Sequence, residues 1–140
     1  MQVKFKKLND DAVIPKYQTK SASGMDLTAS EEIFIPAGSR RIVPTGLAVE
    51  LEDGYEMQVR PRSGVSIKTD LTVMLGTVDS DYRGEIGIIV HNTGKVFCVV
   101  KAGDRIAQGI ICPVIQAKIE VVTELSETER GTGAFGSTGK

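Results

Sequence analysis

The sequence predicts an all-β domain, and three observations carry that prediction. Short runs rich in Val and Ile either alternate with polar residues or are apolar throughout. Gly-, Asn-, Asp- and Pro-containing turn signals fall between them at regular spacing. Only Ser63–Lys68 reads as a helical turn. Strands this short, so regularly spaced, indicate a sandwich, jelly roll or barrel.

Taken in chain order, Val3-Lys4-Phe5-Lys6 alternates, as do residues 33–35, 46–51 and 55–60. Residues 86–90, 96–100, 105–111 and 118–122 follow as further strands. Turns are expected at Pro36-Ala37-Gly38, Glu52-Asp53-Gly54, Asn92-Thr93-Gly94 and Ala102-Gly103-Asp104. Residues 86–90 and 110–114 are apolar at nearly every position, the pattern of strands buried on both faces. In so small a β-domain the second face is expected to be covered by another subunit. The β domain is assigned to residues 1–123, and 124–140 to a C-terminal arm that opens on the charged stretch 124–129.

At 140 residues the chain is long enough for one domain with a real core. With 17 basic and 18 acidic residues it lacks the basic surface of a general nucleic-acid binder, so a polyanionic substrate must be met by a few placed arginines. No apolar run approaches membrane-spanning length and residues 1–20 lack a signal-peptide core, so a soluble, cytoplasmic chain without membrane contact is expected. Cys98 and Cys112 sit in apolar runs with no zinc-ligand spacing and only His91 to help them, and are read as buried free thiols. His91 itself is read as structural.

Residues 130–140 carry Arg130, three hydroxyls, four glycines and the single aromatic Phe135. Too poor in apolar side chains to order itself, such a tail still offers N–H groups, Arg130, Ser137 and Thr138 to phosphate oxygens and a ring on which a base can stack. The alternatives are a tail that closes over a nucleotide and a frayed end without a role. Gly136-Ser137-Thr138-Gly139-Lys140 is not a Walker A loop: Ala134 stands where that pattern needs Gly, and no Ser or Thr follows Lys140.

Four internal segments combine glycine with polar groups in ways strand packing does not require. In Ser23-Gly24-Met25-Asp26-Leu27, Asp26 suits either the hydration shell of Mg²⁺ or an Asx-turn. Arg60-Pro61-Arg62-Ser63-Gly64 places a guanidinium fork and a hydroxyl beside glycine, suited to phosphate, or is a strand end with solvated arginines. Residues 76–84 read as a hairpin; Asp79 is expected to point inward, where it could activate water, and Asp81 to face solvent. In residues 103–108, Gln108 is the polar member of an apolar strand and needs partners.

Read in order, residues 22–27, 61–64, 76–92, 103–110 and 130–139 resemble the five motifs of the trimeric deoxyuridine triphosphatases (dUTPases). The resemblance runs over essentially the whole chain. It implies a jelly-roll-like β fold, a homotrimer with shared active sites, and hydrolysis of dUTP to dUMP and pyrophosphate with Mg²⁺. The resemblance further implies that Asp79 orients and activates water, and that Arg62, Ser63 and Gly64 hold the phosphates. Gln108 would lie near the α-phosphate, and Asp26 would touch the waters of Mg²⁺. Main-chain groups at Gly76, Thr77, Val78 and Gly87 would read uracil, with Tyr82 against the deoxyribose. Arg130, Gly136, Ser137 and Thr138 would close over the γ-phosphate, and Phe135 over the base. No nucleic-acid partner is implied, and no feature indicates a regulatory protein.

The sequence departs from the family pattern at Met25, where Tyr is usual, Gly109, where Leu is usual, and Ala134, in place of Gly. Val73 stands where some bacterial members carry Asn. These changes are expected to alter packing, tail flexibility or affinity rather than chemistry. A dCTP deaminase shares the fold but needs a Glu placed for deamination and lacks the combination of Asp79, Tyr82 and Phe135.

Overall fold

The computed structural model describes residues 1–135. Its strands are β1 (Lys4–Lys7), β2 (Met25–Thr28), β3 (Ile33–Ile35), β4 (Arg40–Pro44), β5 (Leu47–Glu50), β6 (Tyr55–Pro61), β7 (Leu71–Val73), β8 (Gly76–Val78), β9 (Gly87–Asn92), β10 (Cys98–Val100) and β11 (Arg105–Pro113). One short helix, α1 (Ser63–Lys68), stands where the sequence suggested a helical turn. The strands pair antiparallel in two sheets, β2-β11-β6-β8 and β4-β9-β7, and two ribbons, β1-β5 and β10-β3. Neighbours in space are far apart in sequence (β2 beside β11, β4 beside β9), the long-connection topology of jelly rolls.

Alternation along each strand aims one set of side chains into a common core. Leu27, Met57 and Val59 of the first sheet meet Val43, Ile88 and Val90 of the second, and Leu27, Met57, Val43, Ile88 and Val90 are fully buried. The outer face of the first sheet keeps Asp26, Gln58, Arg60 and Gln108 half-buried, and it is this polar face that holds the site. Inside the core, Asn92 spans two strands' ends, its amide donating to Ile35 O (3.0 Å) and Val96 O (2.7 Å) and accepting from Gly94 N (2.9 Å). A buried amide left without those partners would cost about 1–3 kcal/mol.

Several expectations are corrected. Residues 118–122 form no strand, and Ile119 and Val121 are exposed in a segment with no strand partner among the described residues. Residues 76–84 are not a tight hairpin, because β8 pairs with β6 while β9 pairs with β4 and β7. Cys98 and Cys112 are free but half-buried rather than buried, Cys98 at the edge of the core and Cys112 near the end of β11. Strands β2, β4 and β7 were not legible as strands: the exposed Arg40 and Arg41 and the terminal Pro44 break the apolar signature of β4.

Gly109 and Val73, two of the positions that depart from the motif pattern, lie in packed surroundings, whereas Ala134 is exposed. Gly109 lies opposite Met25, and a β-carbon on Gly109 would come within 2.8 Å of Met57 Sδ, so the Met57 thioether fills the space a larger residue would take. Val73 is buried opposite Val90 and points into the core.

Candidate active site

One half of the site is built by the register of β2, β11 and β6. Gln108 sits at a position paired with both Asp26 and Arg60, which places the first, second and fourth motifs side by side on one face. The Gln108 amide donates to Pro61 O (2.9 Å), and Gly24 lies so near that a β-carbon there would approach Gln108 Oε1 to 2.6 Å. Arg62 is the N-cap residue of α1, with extended backbone (φ −102°, ψ 135°), and Ser63 and Gly64 follow in the exposed first turn. Its guanidinium is held from two sides: Nε pairs with Asp26 Oδ1 at 2.9 Å, and Nη1 donates to Arg105 O at 2.8 Å.

Arg105 completes this cluster and was missed at the sequence level. Its Nη1 reaches Asp26 Oδ2 at 3.1 Å, so one carboxylate, only 11% exposed, bridges two guanidinium groups. A bulge in β11 between Arg105 and Ala107 makes this possible by re-aiming the strand end toward Asp26. The only sequence signal was an arginine opening a strand that enters a glycine-flanked polar segment. Asp26, engaged by arginine at both oxygens, keeps lone pairs for metal-bound water but is not a free ligand. Among the described residues no group of three or more His, Cys, Asp or Glu converges as a metal site.

The other half is a slot between strands that part. β7 and β9 pair as Leu71↔Asn92, Thr72↔His91 and Val73↔Val90, and the last bond runs from Met74 N to Ile89 O (2.8 Å). The same register continued would set Gly76 opposite Gly87, but β8 turns to β6, and Gly87 keeps only its pairing with Pro44 on the other edge of β9. Gly76, Thr77, Val78 and Gly87 therefore border a gap at a splayed ladder, with Gly76 and Gly87 half-buried and Thr77 exposed. Beyond β8 the Tyr82 ring folds back over Gly84, where a β-carbon would strike the phenol, and its hydroxyl donates to Glu85 O (3.0 Å).

Asp79 does not point inward. It is exposed, as is Asp81, because it stands one residue beyond the last β6–β8 pair, Met57↔Val78, where the chain leaves the sheet edge. With Glu56 and Tyr55 it lines a hollow of about 630 Å³. That places Asp79 at the start of β6 and Arg62 just past its end. Six residue steps at roughly 3.3 Å each put about 20 Å between the two ends. Arg130 donates from Nε to Gly133 O (2.9 Å) within its own turn, and Phe135 is fully exposed. Gly136, Ser137 and Thr138 lie outside the described residues.

The dUTPase family profile matches residues 10–139. The chain belongs to the dUTPase family. Hydrolysis of dUTP, as a nucleotide pyrophosphohydrolase, is the activity of that family. A deoxyuridine 5'-triphosphate nucleotidohydrolase of Nautilia profundicola is 54% identical over 142 residues and covers 100% of both chains. One from Wolinella succinogenes is 51% identical, covering 100% of this chain and 95% of the relative. Among solved structures, the dUTPase of Staphylococcus bacteriophage 80alpha, as a G164S mutant with dUpNHpp, superposes with a TM-score of 0.94 at 27% identity over 99% of each chain. The all-β, jelly-roll-like fold of the family is thus shown for this dUTPase as well.

Proposed function

We propose that this dUTPase cleaves dUTP to dUMP and pyrophosphate in a homotrimer whose active sites are shared between subunits. One observation carries the reading: the phosphate-binding cluster and Asp79 stand about 20 Å apart at opposite ends of β6, too far to act together within one chain. A site that uses both needs Asp79 from a neighbour. Exposed apolar residues such as the cross-strand partners Ile42 and Ile89 offer surface for such a neighbour.

In this mechanism Asp79 accepts a proton from water as the water oxygen attacks the α-phosphorus. The bond from that phosphorus to the bridging oxygen breaks, and pyrophosphate leaves with the electron pair. A base so placed contributes about 10²–10⁴-fold. Arg62, with the hydroxyl and N–H of Ser63 and the bare backbone of Gly64, holds the phosphate chain; Gln108 lies near the attacked phosphate. Asp26 holds Mg²⁺ through water, and the metal, when bound, neutralises charge on the phosphate oxygens. The slot between Gly76–Val78 and Gly87 receives uracil edge-on, as a further strand would pair there. Cytosine would present a donor where uracil presents an acceptor and leave buried groups unpaired. Tyr82 packs against deoxyribose and excludes a 2′-hydroxyl. The arm from residue 124 carries Arg130, Phe135, Gly136, Ser137 and Thr138 over the site of a neighbouring copy.

The role that follows is removal of dUTP, which limits uracil in DNA and supplies dUMP for thymidylate synthesis, in the cytoplasm. The described residues include no helix long and apolar enough to cross a membrane. The test is complementation. Asp79→Asn and Arg62→Ala subunits are unfolded, mixed and refolded together, and pyrophosphate release from dUTP is followed. Shared sites restore activity that neither parent has; a mixture as inactive as its parents rejects the shared site.

A further inference from the structure

Between β8 and β9 the chain runs through Asp79, Asp81, Tyr82, Arg83 and Glu85, all exposed, and buries no apolar side chain until Ile86. Core packing does not fix this turn; its fixed points are polar. Tyr82 N donates to Asp79 O (3.2 Å) and the Tyr82 hydroxyl to Glu85 O (3.0 Å), so the turn is tied internally back to residue 85. Residues 85 and 86 are then clamped to the link between β4 and β5. Glu85 Oε1 accepts Gly46 N–H at 2.7 Å, Ile86 N donates to Leu47 O at 2.8 Å, and Thr45 Oγ1 donates to Ile86 O at 2.6 Å. Thr45 is fully buried, and its hydroxyl also accepts from Leu47 N at 3.3 Å. Gly46 has φ +67°, and a β-carbon there would come within 2.7 Å of the Asn9 amide and 2.9 Å of Ala12 Cβ. Only glycine can present its N–H to Glu85 in this way.

We infer that Glu85, backed by Thr45, is a positioning residue for Asp79 and Tyr82. The inference rests on the roles proposed for those two side chains. Neither brace residue lies in the phosphate cluster, and the Glu85 carboxylate is turned to the Gly46 amide rather than toward the slot. It acts by holding the turn that carries the base and the sugar-facing ring. A carboxylate–amide hydrogen bond is charge-assisted and stronger than a neutral one. Arg83 Nη1 also ties the turn to itself, at Ser80 O (2.6 Å) and Tyr82 O (3.0 Å), but the Glu85 carboxylate joins the turn to the link between β4 and β5, and its loss lets Asp79 and Tyr82 drift. A misplacement of about 1 Å can cost on the order of 10²-fold in turnover.

The test compares Glu85→Ala with Glu85→Gln, whose amide oxygen still accepts from Gly46. For Glu85→Ala, kcat for dUTP should fall about 10- to 100-fold and the preference for dUTP over UTP should narrow. Its Tm should fall modestly, because the buried Gly46 N–H loses its acceptor, so the kinetic and exchange readouts rather than Tm decide the question. Glu85→Gln should stay within about threefold of wild type on both counts. Amide hydrogen exchange of residues 80–86 should quicken in Glu85→Ala only. Unchanged exchange in Glu85→Ala, or equal damage from Glu85→Gln, overturns the brace. Asp79→Asn and Tyr82→Ala are measured alongside. Wild-type turnover and selectivity in those two would reject the roles of Asp79 and Tyr82, while quickened exchange in Glu85→Ala would still establish the brace.

Discussion

The two ends of β6 are built in different ways. At its C-terminal end, Asp26, Arg62 and Arg105 hold one another and Gln108 holds Pro61 O, through contacts of 2.8–3.1 Å all supplied by one chain. At its N-terminal end, Asp79 stands in solvent on a turn fixed only by hydrogen bonds. The half proposed to bind phosphate is thus preorganised by sheet register. The half proposed to carry hydrolysis is held less firmly. On the proposed mechanism the charge supplied by the first half would serve binding and the transition state alike, while the base in the second would act on turnover alone.

The sharpest way to break this comparison is Asp79→Asn. Removing the base while leaving the cluster intact should lower kcat about 10²–10⁴-fold, with the affinity for a non-hydrolysable dUTP analogue retained. Calorimetric titration beside steady-state kinetics checks both halves at once. Weakened analogue binding together with normal turnover would invert the assignment. Deleting residues 130–140 should come next. Loss of a charge clamp and of the stacking ring should reduce turnover about 10²-fold, with the melting transition unmoved because residues 130–135 contribute no side chain to the core. A wild-type rate in the truncated chain would remove the arm from the mechanism.

How much of this was legible in the sequence follows the same divide. Gln108 was identified because a polar group in an apolar run requires a partner, and Asp26 because a carboxylate follows a glycine at the start of an apolar segment. Strands β9 and β11 were found by their runs of Ile and other apolar residues. Arg105 was overlooked because its importance depends on a bulge, and a bulge is a property of two strands in register rather than of one. The inward orientation expected of Asp79 failed because it was inferred from the buried neighbour Val78, although the strand ends between them. Thr45 and Glu85 carry no local signal at all: 39 positions separate Gly46 from the carboxylate it binds. The expected strand at residues 118–122 had the correct alternation but no pairing partner among the described residues.

Arg105 offers a smaller perturbation of the preorganised half. In Arg105→Gln, Asp26 would keep Arg62 as its only cationic partner, and that pair would tighten. Arg62 would then be released less readily to phosphate. The KM for dUTP should rise about 10-fold with kcat within a factor of about three, because Asp79 is untouched. A change in kcat alone would place Arg105 with the hydrolytic half instead.

The smallest expected effect comes from a single methyl group. In Gly24→Ala, the new β-carbon would come within 2.6 Å of Gln108 Oε1 and 3.1 Å of both Gln108 Cβ and Ile110 Cγ1. The nearest of these is the free end of a flexible side chain, so the fold can yield without rebuilding the sheet. What must give is the Gln108 amide, which leaves its bond to Pro61 O (2.9 Å) and with it the orientation proposed for the α-phosphate. The expected cost is about 1 kcal/mol, the net worth of one hydrogen bond, read as about a fivefold loss in kcat/KM with little change in Tm. If kcat/KM is unchanged, the Gln108 side chain is not held in place by Gly24 and β2 merely passes beside it. If Tm falls steeply while kcat/KM of the folded enzyme stays normal, Gly24 serves the packing of β2 on β11, and the preorganised half reduces to its arginines and Asp26.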